Sequence, residues 1–182
     1  MKKIPQWLHY SLSLLVLGLI SGLLLAFFNE LTAKPIEQNL FNKMMNVLDE
    51  ELPQFKDLEC ENILDDVPEK SQFKHVYRYS DGASTKAIVY YISTKGYQNG
   101  LISILMTIDY ETDKISQFRI VEAKEQLEKV SNSDYNLVDA SIDSFAFVNL
   151  TGATISSTAI KKAVNIVATH YVQYKEILGG AE

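Results

Sequence analysis

The 182-residue chain holds a single cysteine, Cys60, and three histidines. One cysteine builds no disulfide framework, and this supply of thiols excludes an iron–sulfur cluster or a Cys-rich zinc site within the chain. Positive charge is scarce too. Seventeen Lys and Arg stand against 23 Asp and Glu, leaving −6, and a net acidic chain repels the phosphates of nucleic acid. Internal repeats and low-complexity stretches are missing. Apolar residues are plentiful at 47%, with 22% charged, values of an ordinary globular protein that speak against disorder throughout. The length suits one domain. The mean hydropathy of −0.03 looks soluble, but it averages two unlike parts.

From Leu8 to Phe28 the chain reads LHYSLSLLVLGLISGLLLAFF, without Asp, Glu, Lys or Arg. As a helix this run spans roughly 31 Å, close to the hydrocarbon thickness of a bilayer. Trp7 and Tyr10 lie at one end, where amphipathic rings favour the interface. The expectation is a cytoplasmic tail over 1–7, a transmembrane helix over 8–28 and an extracytoplasmic domain over 29–182, because Lys2 and Lys3 hold the short tail inside. Without those two lysines the remainder carries −8, against −6 for the chain. In a bacterium this is a single-pass protein of the plasma membrane with its domain on the outer face. The rival is a cleaved signal peptide, whose apolar region is shorter, about 7–15 residues. Leu31-Thr32-Ala33 offers it only a poor cleavage site, and no cysteine lies near the segment to make a lipoprotein. Gly18, Gly22 and Ala26 recur every four residues, a face that lets another membrane helix approach closely.

Beyond the anchor, Pro35 opens a second helical pattern, with Ile36, Leu40, Met44, Met45 and Leu48 at helical spacing and Pro53 ending it. The acidic stretch Cys60 to Lys70 reads as a loop. Strand-like runs follow at 73–79, 87–93, 101–110 and 115–121. Gly96 with Asn99-Gly100 marks one turn and Asp113-Lys114 another. Residues 122–130 suit a short helix or a loop, and 132–144 look irregular. Phe73, His75, Tyr77 and Tyr79 alternate, as core or cross-strand packing does. A last amphipathic helix carries Ile160, Ala163, Val164, Val167 and Tyr171 on one stripe and ends at Gly179-Gly180. The expected fold class is α+β, with a mainly antiparallel sheet packed by helices.

The segment with chemistry is Thr151-Gly152-Ala153-Thr154-Ile155-Ser156-Ser157-Thr158, opening straight into that last helix. A helix start presents unpaired N–H groups and the positive end of the dipole, which suits an anion. Gly152 and Ala153 let backbone approach a ligand, the hydroxyls of Thr151, Thr154, Ser156 and Ser157 cluster there, and Lys161 and Lys162 follow within two turns. An ordinary helix cap uses the same residue types. No Ser/His/Asp triad, paired carboxylate or metal-ligand cluster stands out, so no catalytic base and no metal is assigned.

Thr151-Gly152-Ala153-Thr154 followed by Ile155-Ser156-Ser157 resembles the Ser/Thr-Gly-Ala-Thr motif of FMN-binding domains of the RnfG/NqrC type, carried by the Rnf electron-transport complex and by the sodium-pumping NADH:quinone reductase. Two further landmarks occur in the right order. Phe28-Asn29-Glu30-Leu31-Thr32-Ala33-Lys34-Pro35-Ile36 is similar to the family's N-terminus, and Lys95-Gly96-Tyr97-Gln98-Asn99-Gly100 to its Lys-Gly-Tyr turn before a central strand. The compact length favours the Rnf type. Two places depart from the pattern: Val148 stands where the family usually has an acid, and 125–129 lacks the usual Pro-Gly loop.

The resemblance implies FMN held covalently, as a phosphoester on Thr154 made by a flavin transferase. Thr151, Gly152, Ala153, Ser156, Ser157, Gly96 and Tyr97 would surround it. It further implies an electron-relay subunit working among other membrane subunits. A flavin carries one or two electrons, and the protein sets its position and potential. Two alternatives stay open: a membrane-anchored FMN domain outside Rnf, serving extracellular electron transfer or redox sensing, and a structural subunit without flavin.

Overall fold

A computed structural model describes residues 10–29, 31, 39, 55–82, 84–123, 130 and 135–180. The chain divides into two compact units, Met1–Lys56 and Asp57–Glu182. In the first, helix α1 runs Tyr10–Asn29, twenty residues with a mean hydropathy of 2.4, long and apolar enough to cross a membrane. Its leucines and phenylalanines are exposed. Nothing lies within 4 Å of the Cβ positions of Gly18 and Gly22. The expected helix from Pro35 to Pro53 falls outside the described residues, as does the 125–129 loop.

The second unit is a five-stranded antiparallel sheet with strands in sequence order: β1 Glu59–Asn62, β2 His75–Ser80, β3 Thr85–Lys95, β4 Leu101–Asp109 and β5 Lys114–Ala123. One long helix, α2 (Thr154–Leu178), follows an irregular stretch. The architecture is α+β, as apolar strand runs followed by a helical stripe lead one to expect. Two expectations change. The acidic stretch from Cys60 begins as a strand, because β1 pairs along β2 from Glu59↔Ser80 to Asn62↔Tyr77, and the loop starts only after Asn62. Phe73 does not share a face with its alternating partners. It precedes β2 and packs on Tyr90 and His170 at 5.2 and 4.6 Å between ring centroids. His75 instead stacks between Tyr77 and Tyr91 on the opposite face.

The core forms where α2 lies on the sheet. Ile160, Ala163, Val164, Val167 and Tyr171 meet Val76, Ile88, Tyr90, Ile104, Met106 and Ile108, all fully or almost fully buried. Ile160 alone, wholly buried, contributes roughly 2 kcal/mol by removal of its apolar surface from water. Polar ties fix the C-terminal part of the helix. Tyr171 Oη donates to Asp113 Oδ1 at 2.8 Å in the β4–β5 turn, and Tyr110 Oη donates to the Lys175 carbonyl at 3.1 Å. Thr85 Oγ1 donates to the Gly179 carbonyl at 3.0 Å. His170 sits in the core with Tyr90 Oη 2.9 Å from Nδ1 and the Pro68 carbonyl 2.9 Å from Nε2.

Candidate functional site

Two segments far apart in sequence meet at the start of α2. The first is the approach to the helix. Tyr135 anchors it: the phenol donates to the Val130 carbonyl at 2.7 Å, and the ring packs on Phe118 and Phe147 at 5.4 and 5.2 Å. Burial pushes that phenol up to about 12. The Val148 N–H donates to the Tyr135 carbonyl at 3.3 Å, which leaves the Val148 side chain at the surface. Gly152 then takes φ 78, the left-handed region where a Cβ is disfavoured, and turns the chain into the helix. Ala153 holds the N-cap position with φ −134 and ψ 36. Alanine has no acceptor, and no side chain caps this end among the described residues. The first helical amides therefore keep their capacity to bind a ligand.

The hydroxyls at this helix start separate by phase. Thr151 and Thr154 are exposed, Ser156 is 3% exposed and Ser157 is fully buried. The Ser157 N–H donates to the Ala153 carbonyl at 2.9 Å, closing the first helical turn, and its hydroxyl donates to the Thr154 carbonyl at 3.2 Å. Ser156 Oγ accepts a long hydrogen bond, 3.4 Å, from the Tyr97 N–H.

That bond introduces the second segment, the β3–β4 hairpin, whose strands pair up to Lys95↔Leu101. The turn's central residues are Gln98 (φ 50, ψ 31) and Asn99 (φ 61), closed by the Gly100 N–H donating to the Tyr97 carbonyl at 2.9 Å. Two left-handed residues make a type I′ turn, which matches strand twist. The turn is set one residue earlier than the Asn99-Gly100 pair suggests, and Gly100 itself has φ −58. Gly96 is needed for room instead. A Cβ there would lie 2.5 Å from Ile102 Cδ1 and 3.1 Å from Ser156 Oγ.

Tyr97, Gly152, Ala153, Thr154, Ile155 and Ser156 together line a cleft of about 420 Å³. That volume falls within the roughly 300–1,000 Å³ of small-molecule sites. Its rim is apolar and open, with Tyr97 43% and Ile155 57% exposed. Thr154 opens onto it from the first position of α2. Thr151 and Ser157 do not line the cleft, and Gly96 reaches it only through its contact with Ser156. Lys161 and Lys162 are exposed, and Lys162 borders a different cleft with Glu69 and His170. Ile155 stands in the motif without standing out as a site residue, because an isoleucine at a helix start carries no mark of a cleft wall.

Residues 96–169 match the model of the FMN-binding domain family. The match begins at Gly96 and runs past the helix start, so both segments of the cleft fall inside it. It supports a flavin-binding role in electron transfer, with FMN as the cofactor. No curated protein matches the chain. The residues present suit such a group: an uncapped helix start for a phosphate and a cleft with an aromatic wall for a planar ring system.

Proposed function

We propose that this chain is a membrane-anchored electron-relay subunit of an Rnf-type ion-translocating oxidoreductase, with FMN joined to Thr154 by a phosphoester. The observation that carries the reading is Thr154 itself. Its side chain lies exposed at an uncapped helix start, on a cleft with an aromatic wall, inside the region that matches the FMN-binding domain family. The amides of that helix start and the dipole behind them favour a phosphate ester. Gly152 supplies the turn that brings Thr154 to the surface, and Ser157 fixes the first turn of the helix from below.

Bound FMN supplies reversible uptake of one or two electrons, and the protein supplies position and surroundings. A covalent tether suits a domain outside the membrane, where free FMN would diffuse away. In this reading α1 anchors the chain in the plasma membrane with its N-terminus in the cytoplasm. The small-residue face of Gly18, Gly22 and Ala26 meets a helix of another membrane protein in the complex. The partners are the other membrane subunits of the complex and the flavin transferase that matures the chain.

The test is intact mass and in-gel fluorescence of the full chain co-expressed with a flavin transferase. The expected result is one FMN per chain that survives denaturing electrophoresis and is lost in Thr154→Ala. Thr154 is exposed, so the variant should keep its stability to within about 0.5 kcal/mol. A wild-type chain without covalent flavin refutes the reading.

A further inference from the structure

Gly96 and Ser156, we propose, are positioning residues: they clasp the Tyr97 turn to the start of α2, so that a flavin on Thr154 meets the Tyr97 ring instead of swinging on its tether. The inference rests on the FMN reading above and adds what fixes the group once attached.

Three independent features support the clasp. The missing Cβ of Gly96 serves space. The turn sits so near α2 that a Cβ would come within 3.1 Å of Ser156 Oγ and 2.5 Å of Ile102 Cδ1. Ser156 is buried, and its hydroxyl faces the hairpin backbone, accepting the Tyr97 N–H at 3.4 Å. Its role is therefore to hold protein to protein. Finally, the turn is strained: Gln98 is left-handed at φ 50, although the glycine of Asn99-Gly100 stands two positions further on. Strain of this kind persists where surrounding structure over-determines it. Here the Gly96 N–H donates to the Gly100 carbonyl at 2.8 Å, and strand register holds both ends. The shifted turn leaves Tyr97 at its first corner, bordering the same cleft as Thr154.

A phenol in contact with an excited flavin donates an electron to it and quenches its emission, so fluorescence reads the contact directly. The experiment uses the full chain in detergent, co-expressed with a flavin transferase, with FMN per chain fixed by intact mass. Wild-type protein should emit weakly and with high anisotropy. Tyr97→Leu should keep its flavin and brighten severalfold. Gly96→Ala should brighten comparably and lose anisotropy, and Ser156→Ala should do so in part. Adding Ile102→Val to Gly96→Ala removes Cδ1, the nearest atom that the new Cβ meets, and should restore part of the quenching although it removes core packing. A merely destabilising effect of Gly96→Ala would worsen in that double variant. Flavinylated Tyr97→Leu and Ser156→Ala proteins with wild-type emission and anisotropy overturn the proposal while leaving the FMN reading intact. A wild-type chain without flavin overturns both.

Discussion

The helix that carries Thr154 is held to the sheet by a buried histidine, and its stability should therefore depend on pH in a defined direction. His170 is 3% exposed. Its ring lies 4.6 Å from Phe73, 4.9 Å from Tyr174 and 5.7 Å from Tyr90, measured between centroids. The Pro68 carbonyl can only accept, so Nε2 donates to it, and the neutral tautomer then leaves Nδ1 to accept from Tyr90 Oη. Burial holds the imidazole below its ordinary 6.5 and outweighs the Pro68 carbonyl and the Glu69 charge, both of which favour the cation. Tyr90 stays protonated, since burial pushes its phenol up. Lys162 borders the same cleft as His170 and Glu69.

The sign follows. As pH falls, the unfolded chain takes up a proton at this position before the folded one does. Stability is fully present above pH 6.5 and is lost through the window between 6.5 and the lower folded value. While the folded ring stays neutral, a full pH unit costs at most about 1.4 kcal/mol. From pH 6.5 to 5.5 the cost is at most about 1 kcal/mol, reached if the folded ring stays neutral throughout, because the unfolded imidazole is already half protonated at the start. For a unit the size of Asp57–Glu182 this lowers Tm by up to about 3–5 °C. The assay is thermal unfolding by near-ultraviolet circular dichroism at pH 7.5, 6.5 and 5.5, comparing the wild-type chain with His170→Gln. Glutamine keeps a donor and an acceptor but does not titrate. Asp65, lowered by Lys70, and Asp143, lowered by Ser141, are common to both proteins and cancel. The wild type should lose up to about 3–5 °C relative to the variant between pH 6.5 and 5.5. Parallel curves refute the assignment of a neutral His170.

Two further substitutions probe how the site is built. Gly152→Ala places a Cβ at φ 78, at a cost of about 1–2 kcal/mol. About 0.4–1 kcal/mol returns through the stiffer unfolded chain, so urea unfolding should show a modest net loss, smaller in Gly152→Asn. Tyr171→Phe removes the 2.8 Å bond to Asp113 while keeping the ring, which is 1% exposed. With a charged acceptor this should cost about 1.5–3 kcal/mol in the same assay, and an unchanged midpoint refutes a role for that bond in holding α2.

What could be read from the residues differs between elements for physical reasons. α2 announces itself because one face is buried, which imposes a helical period on its apolar residues, while β3 and β4 are buried on both faces and read as continuous apolar runs. β1 does neither. Its four residues, Glu-Cys-Glu-Asn, bury little, and only pairing with β2 makes them a strand. The turn at Gly96 was legible as a turn but not in phase. Asn-Gly is the favoured I′ pair, yet strand register and the contact with α2 move the turn one residue back and load the strain on Gln98. At the helix start, the hydroxyl cluster was visible while its division of labour was not. Threonine and serine offer the same group, and which one meets solvent depends on the helix's phase against the sheet.

That phase is not adjustable independently of the core. Ser156, Ser157, Ile160, Ala163, Val164 and Val167 face inward at helical spacing, so Thr154, Ile155, Thr158 and Lys161 must face out. Rotating α2 by one residue, about 100°, would expose Ile160 and Val164 and sacrifice several kcal/mol of apolar burial. The exposure of the Thr154 hydroxyl is thus fixed by residues two and three turns away that never touch the cleft. Ser156 lies on the inward side of the same helix start, where its hydroxyl accepts from the neighbouring hairpin. One core stripe therefore sets both halves of the site: which hydroxyl opens onto the cleft from an exposed position, and which one accepts the Tyr97 N–H.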